Sequence, residues 1–133
     1  MEVALQTKQV QADIGVLLVD DHLAMRETLR MVLGANPAIV VIGEAEDGVQ
    51  ALQLLSTLHP DVVVTDIEMP RLNGLEATRQ IRKLSPQTGV VIITVHENKS
   101  YFQEGLEAGA TSCIPKRLAG SQLAPAVYAA AHR

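Results

Sequence analysis

Five short apolar runs punctuate the chain: Ile14 to Val19, Ile39 to Ala45, Val62 to Asp66, Gly89 to Val95 and Thr111 to Pro115. They do not alternate polar with apolar. The third is three valines and a threonine leading to one carboxylate. The first and third read as strands buried on both faces of a parallel sheet. Between the runs apolar residues return at helical spacing. Leu23 to Gly34 carries Met25, Leu29, Val32 and Leu33, with Gly34 as a stop. Asp47 is placed to cap a helix bearing Val49, Leu52, Leu55 and Leu58, which His59-Pro60 ends. Gly74 to Leu84 has Leu75, Thr78, Ile81 and Leu84 as its inner stripe, and Ser85-Pro86 breaks it. Lys99 to Ala108 is a weaker helix with Tyr101, Phe102 and Leu106, closed by Gly109. A final Ala-rich helix is expected to start at Ser121 as N-cap, with Pro125 in or near its first turn.

Strand and helix thus alternate five times with short connections, which predicts an α/β fold: a doubly wound five-stranded parallel sheet with helices on both faces. Residues 14–133 form one domain. Residues 1–13, polar and Gln-rich, read as a disordered tail.

Composition narrows the chemistry. Of 133 residues 47% are hydrophobic but only 2% aromatic, so the core is built from Val, Ile, Leu and Ala. The net charge of −4 argues against this domain gripping nucleic acid unaided, because phosphate contacts need clustered Lys and Arg. Cys113 is the single cysteine, so no internal disulfide forms and a reducing compartment is expected. Neither a signal peptide nor a membrane-length apolar run is present, which points to a soluble, cytoplasmic protein with no membrane partner.

All strands of a parallel sheet share one carboxyl edge, where open α/β sheets keep their ligand sites. The first strand brings Asp20 and Asp21 there, the third Asp66, the fourth Thr94 and the fifth Lys116. Singly, each has an ordinary reading: a turn former, a strand end, a solvated lysine. Together, the three carboxylates repel one another unless a cation intervenes, and a hard divalent ion with oxygen ligands, Mg²⁺ by preference, resolves that. With the lysine and the hydroxyl they make a phosphoryl site in which an aspartate is the nucleophile.

These residues, with Met69-Pro70 and Gly74 after Asp66, resemble the receiver domain of two-component response regulators. Val19-Asp20-Asp21-His22 and Gly109-Ala110 look most like the subgroup with a helix-turn-helix, LuxR-type output domain. The resemblance implies the flavodoxin-like receiver fold of strand order 2-1-3-4-5, with edge strand five accommodating Pro115. It implies that Asp66 accepts a phosphoryl group from a histidine kinase. Asp21 and Asp66 would bind Mg²⁺ with the backbone carbonyl of Glu68, and Asp20 would act from behind or through water. Thr94 would hydrogen-bond the phosphoryl oxygens and Lys116 would pair with them. The domain would be a switch rather than an enzyme, controlling transcription through an output domain not present in this chain, which would contact the DNA. Homodimers through helices one and five, or through the face of helix four, strand five and helix five, are the expected assemblies.

Two positions depart from the family pattern. Cys113 stands where many receivers carry a Tyr or Phe that reads out the site, and Val95 where small residues are frequent. His22 and His96 fall on loops beside the site but read as bystanders, His59 reads as a helix-end residue and His132 as a terminal one, and no pair has zinc-ligand spacing. Other classes on such a sheet are a constitutive interaction module, a flavodoxin-like electron carrier and an aspartyl phosphatase. The turn at Asp20-Asp21-His22 lacks the Ser/Thr/Gly-rich cradle a flavin phosphate needs, and Glu68 replaces the second acid of an Asp-x-Asp phosphatase.

Overall fold

A computed structural model describes residues 13–132; the expected tail lies outside them except for Asp13. The sheet has five strands, β1 (Ile14–Val19), β2 (Ile39–Ala45), β3 (Val62–Thr65), β4 (Gly89–Thr94) and β5 (Ser112–Pro115), in the order β2-β1-β3-β4-β5. Every neighbouring pair is parallel. The helices are α1 (Leu23–Gly34), α2 (Gly48–Leu58), α3 (Gly74–Leu84), α4 (Lys99–Ala108) and α5 (Ala119–Ala131), with a 3₁₀ turn at Lys116–Leu118.

The period-two geometry of strands explains the unbroken valine run. Val62 and Val64 pack against α1 and α5 beside Leu29, Leu33, Leu123 and Val127. Val63, pointing the other way, packs with Leu55, Leu75 and Ile81 of α2 and α3. Both faces of β3 are therefore core, and burying each such side chain is worth about 1.5–3 kcal/mol.

Helix starts follow local chemistry. The Asp47 side chain accepts from the Gln50 N–H as expected, and Asn73 and Asn98 cap α3 and α4 in the same way. Gly109 ends α4 with φ 115°, a conformation that favours glycine.

Three expectations fail locally. Leu84 is 68% exposed rather than inward. A stripe stepped strictly by three slips by about 60° per step on a helix of 3.6 residues per turn, so its fourth member comes round to the opposite side from its first. Ala77 takes the inner position instead. Ser121 is not a cap: α5 begins at Ala119, directly off the 3₁₀ turn, and Ser121 Oγ donates to the Leu118 carbonyl at 3.3 Å. Pro125 consequently sits inside the helix rather than in its first turn. Pro125 and Ser121, whose carbonyl would otherwise receive the missing N–H, are both exposed, so water can serve there.

Candidate functional site

The carboxyl edge gathers three charged groups into direct contact. The Asp66 N–H donates to the Val19 carbonyl at 3.0 Å, which extends the β1–β3 ladder by one residue and fixes the acid just past the strand. Asp66 Oδ1 accepts from the Ile67 N–H at 2.7 Å. Lys116 Nζ donates to Asp66 Oδ2 and to Asp20 Oδ2, both at 2.9 Å. The lysine leaves β5 at the sheet edge, and its four-carbon stem passes over β4 to reach both acids.

Asp20 is fully buried, and its Oδ1 accepts from the His22 N–H at 2.9 Å. Burial pushes the Asp66 carboxyl above the usual range, and the charge of Asp20 adds to this against the pull of Lys116. Burial alone would lower Lys116, but Asp66 and Asp20 outweigh it and hold the ammonium above its ordinary value. The lysine is therefore a cation throughout the neutral range.

Of the other expected site residues, Thr94 is fully buried and its Oγ1 accepts from the His96 N–H at 3.0 Å, facing the loop that follows it. Asp21 is half-buried, and its Oδ1 is shut off from solvent with no hydrogen-bond partner among the described residues. Such an atom is costly unless something positive meets it. The Glu68 side chain turns outward, and its Oε1 lies 2.7 Å from His96 Nε2.

Of the four histidines, His22 and His96, expected beside the site, do reach the cleft. It encloses about 380 Å³ and is walled by Met25, Asp66, Glu68, Val95, His96 and Lys116, with His22 at the rim. His22 Nδ1 lies 3.2 Å from Asp20 Oδ1 and 3.2 Å from Asp21 Oδ1. The His96 ring stacks on Tyr101 of α4 with centroids 5.1 Å apart. A signal was present: each histidine comes two residues after a polar strand-end residue, Asp20 and Thr94, and so sits where the chain turns over the edge.

Arg26 was not legible. Its Nη1 donates to the Asp20 carbonyl at 2.6 Å and its Nε to Glu44 Oε1 at 2.8 Å, tying α1, β1 and β2 together under the acidic pair. Arg30 and Arg26 hold the Glu44 carboxyl below its usual range. Gly74 is a second support, since a Cβ there would fall inside the Asp66 backbone carbonyl. Cys113 fills the seam between β5 and α4, with its Sγ 3.5 Å from the Phe102 carbonyl, and a Cβ at Gly105 would collide with it. Burial pushes its thiol up to about 11, so it is a packing group rather than a nucleophile.

The family model for the response regulator receiver domain matches residues 16–128. The transcriptional regulatory protein DegU of Brevibacillus brevis is 34% identical over 114 residues, covering 86% of this chain and 48% of that protein. A protein-glutamate methylesterase/protein-glutamine glutaminase of Pyrococcus horikoshii is 41% identical over 104 residues, covering 77% of this chain and 28% of that protein. The crystal structure of a LuxR-family two-component response regulator from Aurantimonas sp. superposes with a TM-score of 0.84 at 33% identity, covering 88% of this chain and 84% of that one. The chain spans about half the length of the transcriptional regulators it matches. No described helix is long and apolar enough to cross a membrane.

Proposed function

Because the chain belongs to the response regulator receiver domain family, we propose that it is a phospho-accepting switch in which Asp66 takes a phosphoryl group from the phosphohistidine of a histidine kinase. A carboxylate oxygen of Asp66 attacks phosphorus, the P–N bond breaks, and the imidazole leaves with its electron pair and takes up a proton. The observation that carries this reading is Lys116 Nζ held at 2.9 Å from both Asp66 and Asp20. A buried cation already stands where the transferred charge arrives, so little reorganisation accompanies the transfer.

Asp21 and Asp66 would hold Mg²⁺ with the backbone carbonyl of Glu68, and Asp20 would support them from behind. The buried Asp21 Oδ1, which accepts no hydrogen bond, supports a cation at this place. When bound, Mg²⁺ offsets the negative charge of the phosphoryl group in transfer. Thr94 would donate its hydroxyl proton to the phosphoryl oxygens. Because its Oγ1 also holds the His96 N–H, that movement carries the loop from Val95 onward and the start of α4.

The product carries about −1.5 to −2 charges near pH 7 and shifts the population between two arrangements of the α4-β5-α5 face. The output is transcription through a DNA-binding domain beyond this chain, in the cytoplasm, with dimers forming through α1 and α5 or through that face. The domain itself is a switch, not a catalyst for an external substrate.

Incubation with acetyl phosphate and Mg²⁺, followed by intact mass measurement, tests the reading. One phosphoryl group should be gained by the wild type and none by Asp66→Asn. No gain with any donor overturns it and leaves a constitutive interaction module. Phosphate lifetime tests a finer point. Val95 is 65% exposed at the cleft wall, where its branched side chain hinders the attacking water. Val95→Ala should therefore lose phosphate from Asp66 faster than the wild type. Unchanged or slower decay would remove Val95 from the account.

A further inference from the structure

β5 brings no aromatic ring to the face it shares with α4. Cys113 donates its thiol proton to the Phe102 carbonyl at 3.5 Å, and a Cβ on Gly105 would lie 2.5 Å from its Sγ, so the middle of α4 is seated directly on the strand. The first turn of α4 is connected to the site by another route. Thr94 Oγ1 faces its own loop and accepts from the His96 N–H at 3.0 Å. The His96 ring carries the path onward: Nε2 lies 2.7 Å from Glu68 Oε1, and the ring face stacks on Tyr101 with centroids 5.1 Å and planes 28° apart. Tyr101 is fixed to the start of the helix. Its N–H donates to Asn98 Oδ1, the cap of α4, at 2.9 Å, and its side chain packs against the core cluster that contains Leu75 and Ile81. Just past His96 the loop is held again, because Arg117 Nε and Nη2 donate to the Glu97 carboxylate at 2.8 and 2.9 Å. Between buried Thr94 and tethered Glu97 lie only Val95 and His96, and the His96 ring rests on α4.

We propose that the His96–Tyr101 stack is the clasp through which Asp66 controls α4, a role that rests on the reading of Asp66 as phospho-acceptor. With Thr94 turned to its own loop the clasp is closed, and the first turn of α4 is held where it is described above. When the Thr94 hydroxyl turns to the phosphoryl oxygens, the His96 N–H that it holds follows. The ring is then drawn off the face of Tyr101, and the start of α4 is released. The stack belongs to one of the two arrangements and opposes the other by what it contributes. Linkage makes the effect reciprocal: loss of the stack favours the arrangement that binds a phosphoryl group, and so tightens that binding. One stacked aromatic pair amounts to about two- to tenfold in such an equilibrium.

Beryllofluoride with Mg²⁺, a reversible mimic of the phosphoryl group on aspartate, is the probe, followed by the amide signals of residues 99–108. Tyr101→Leu keeps apolar bulk and removes the ring. Before any beryllofluoride is added, its α4 signals should already be displaced toward those of the bound wild type, and it should bind the mimic about two- to tenfold more tightly. Tyr101→Phe keeps the ring and should match the wild type. A Tyr101→Leu variant with wild-type signals and affinity overturns the proposal, as does a Tyr101→Phe variant that departs as Leu does. The stack is also read without disturbing it. The chain has two tyrosines and no tryptophan, so in Tyr128→Phe all the emission is from Tyr101. That emission should change when beryllofluoride binds, and stay fixed in Tyr128→Phe with Asp66→Asn. Emission that stays fixed while the mimic is bound overturns the clasp even where Tyr101→Leu fails to fold. If the wild type gains no phosphate from acetyl phosphate by intact mass, the phospho-acceptor reading fails and the clasp falls with it. Phosphate gained with Tyr101 unmoved strikes the clasp alone.

Discussion

Replacement of Lys116 by methionine is expected to destabilise the domain by about 3 kcal/mol at pH 7, because it leaves two buried carboxylates without their cation. The Lys116 side chain is 9% exposed, and the two oxygens it holds belong to Asp66 and to the fully buried Asp20. Methionine keeps the length and removes the charge. The sign with pH follows from the direction of the shifts. Burial and the neighbouring Asp20 already raise Asp66 in the wild type, and without the lysine only the Ile67 N–H opposes them. A carboxyl whose folded pKa exceeds its unfolded value of about 3.9 costs stability above that window and ceases to cost as pH falls through it. The gap in denaturant midpoint between wild type and Lys116→Met should thus be widest at pH 7 and shrink steadily toward pH 4. A gap that does not change with pH would show that packing, not charge, is what the lysine supplies. Added Mg²⁺ should also narrow the gap at neutral pH if the acids bind it, since a ligand selective for the folded state stabilises by mass action.

Gly74→Ala should be comparably severe for an unrelated reason. Its Cβ would meet the Asp66 carbonyl and lie 3.0 Å from the Ile67 Cα, which is backbone on both counts. That backbone cannot yield cheaply. The Asp66 N–H is tied to Val19, and the Gly74 N–H is tied to the Ile67 carbonyl at 2.7 Å. Any relief moves Asp66 away from Lys116. A loss of more than about 3 kcal/mol is expected, together with failure of Asp66 to accept phosphate in whatever fraction remains folded. Gly120→Ala is the matched comparison. A Cβ at Gly120, near the start of α5, meets nothing within 4 Å, so that change should be neutral or stabilising by up to about 1 kcal/mol. Thermal melts of the two variants check the contrast. Equal midpoints would mean that the β3–α3 connection is looser than its hydrogen bonds indicate.

Those two positions differ in how visible they were beforehand. Lys116 could be picked out because it follows an apolar run, as Asp20, Asp66 and Thr94 do, and the alternation of strand and helix brings such positions to one edge. Gly74 could be noticed only through resemblance, since a glycine at a helix start has many ordinary reasons. Arg26 carried no signal at all: its role is to hold the Asp20 carbonyl just past β1 and a glutamate of β2, contacts 6 and 18 residues away in sequence. The misreadings have the same root. Leu84 is apolar at an apparently periodic position, but helix geometry rotates it into solvent. Ser121 has the chemistry of a cap, but the chain is already helical two residues earlier because the 3₁₀ turn after Lys116 feeds directly into α5.

What the sequence determined by itself is the set of elements and the edge on which the chemistry collects. Local burial patterns decide strand against helix, and parallel strands with right-handed crossovers leave few ways to arrange five of them. What only the tertiary structure decided is which atoms meet. One lysine spans to Asp66 and Asp20, 50 and 96 residues away; an oxygen of Asp21 lies 3.2 Å from the His22 imidazole; Cys113 packs so close to Gly105 that a Cβ there would collide with it. These contacts depend on side-chain length, rotamer and the thickness of the layer between strand and helix. Those quantities are set by the packing of all the elements at once, and no local stretch of the chain carries them.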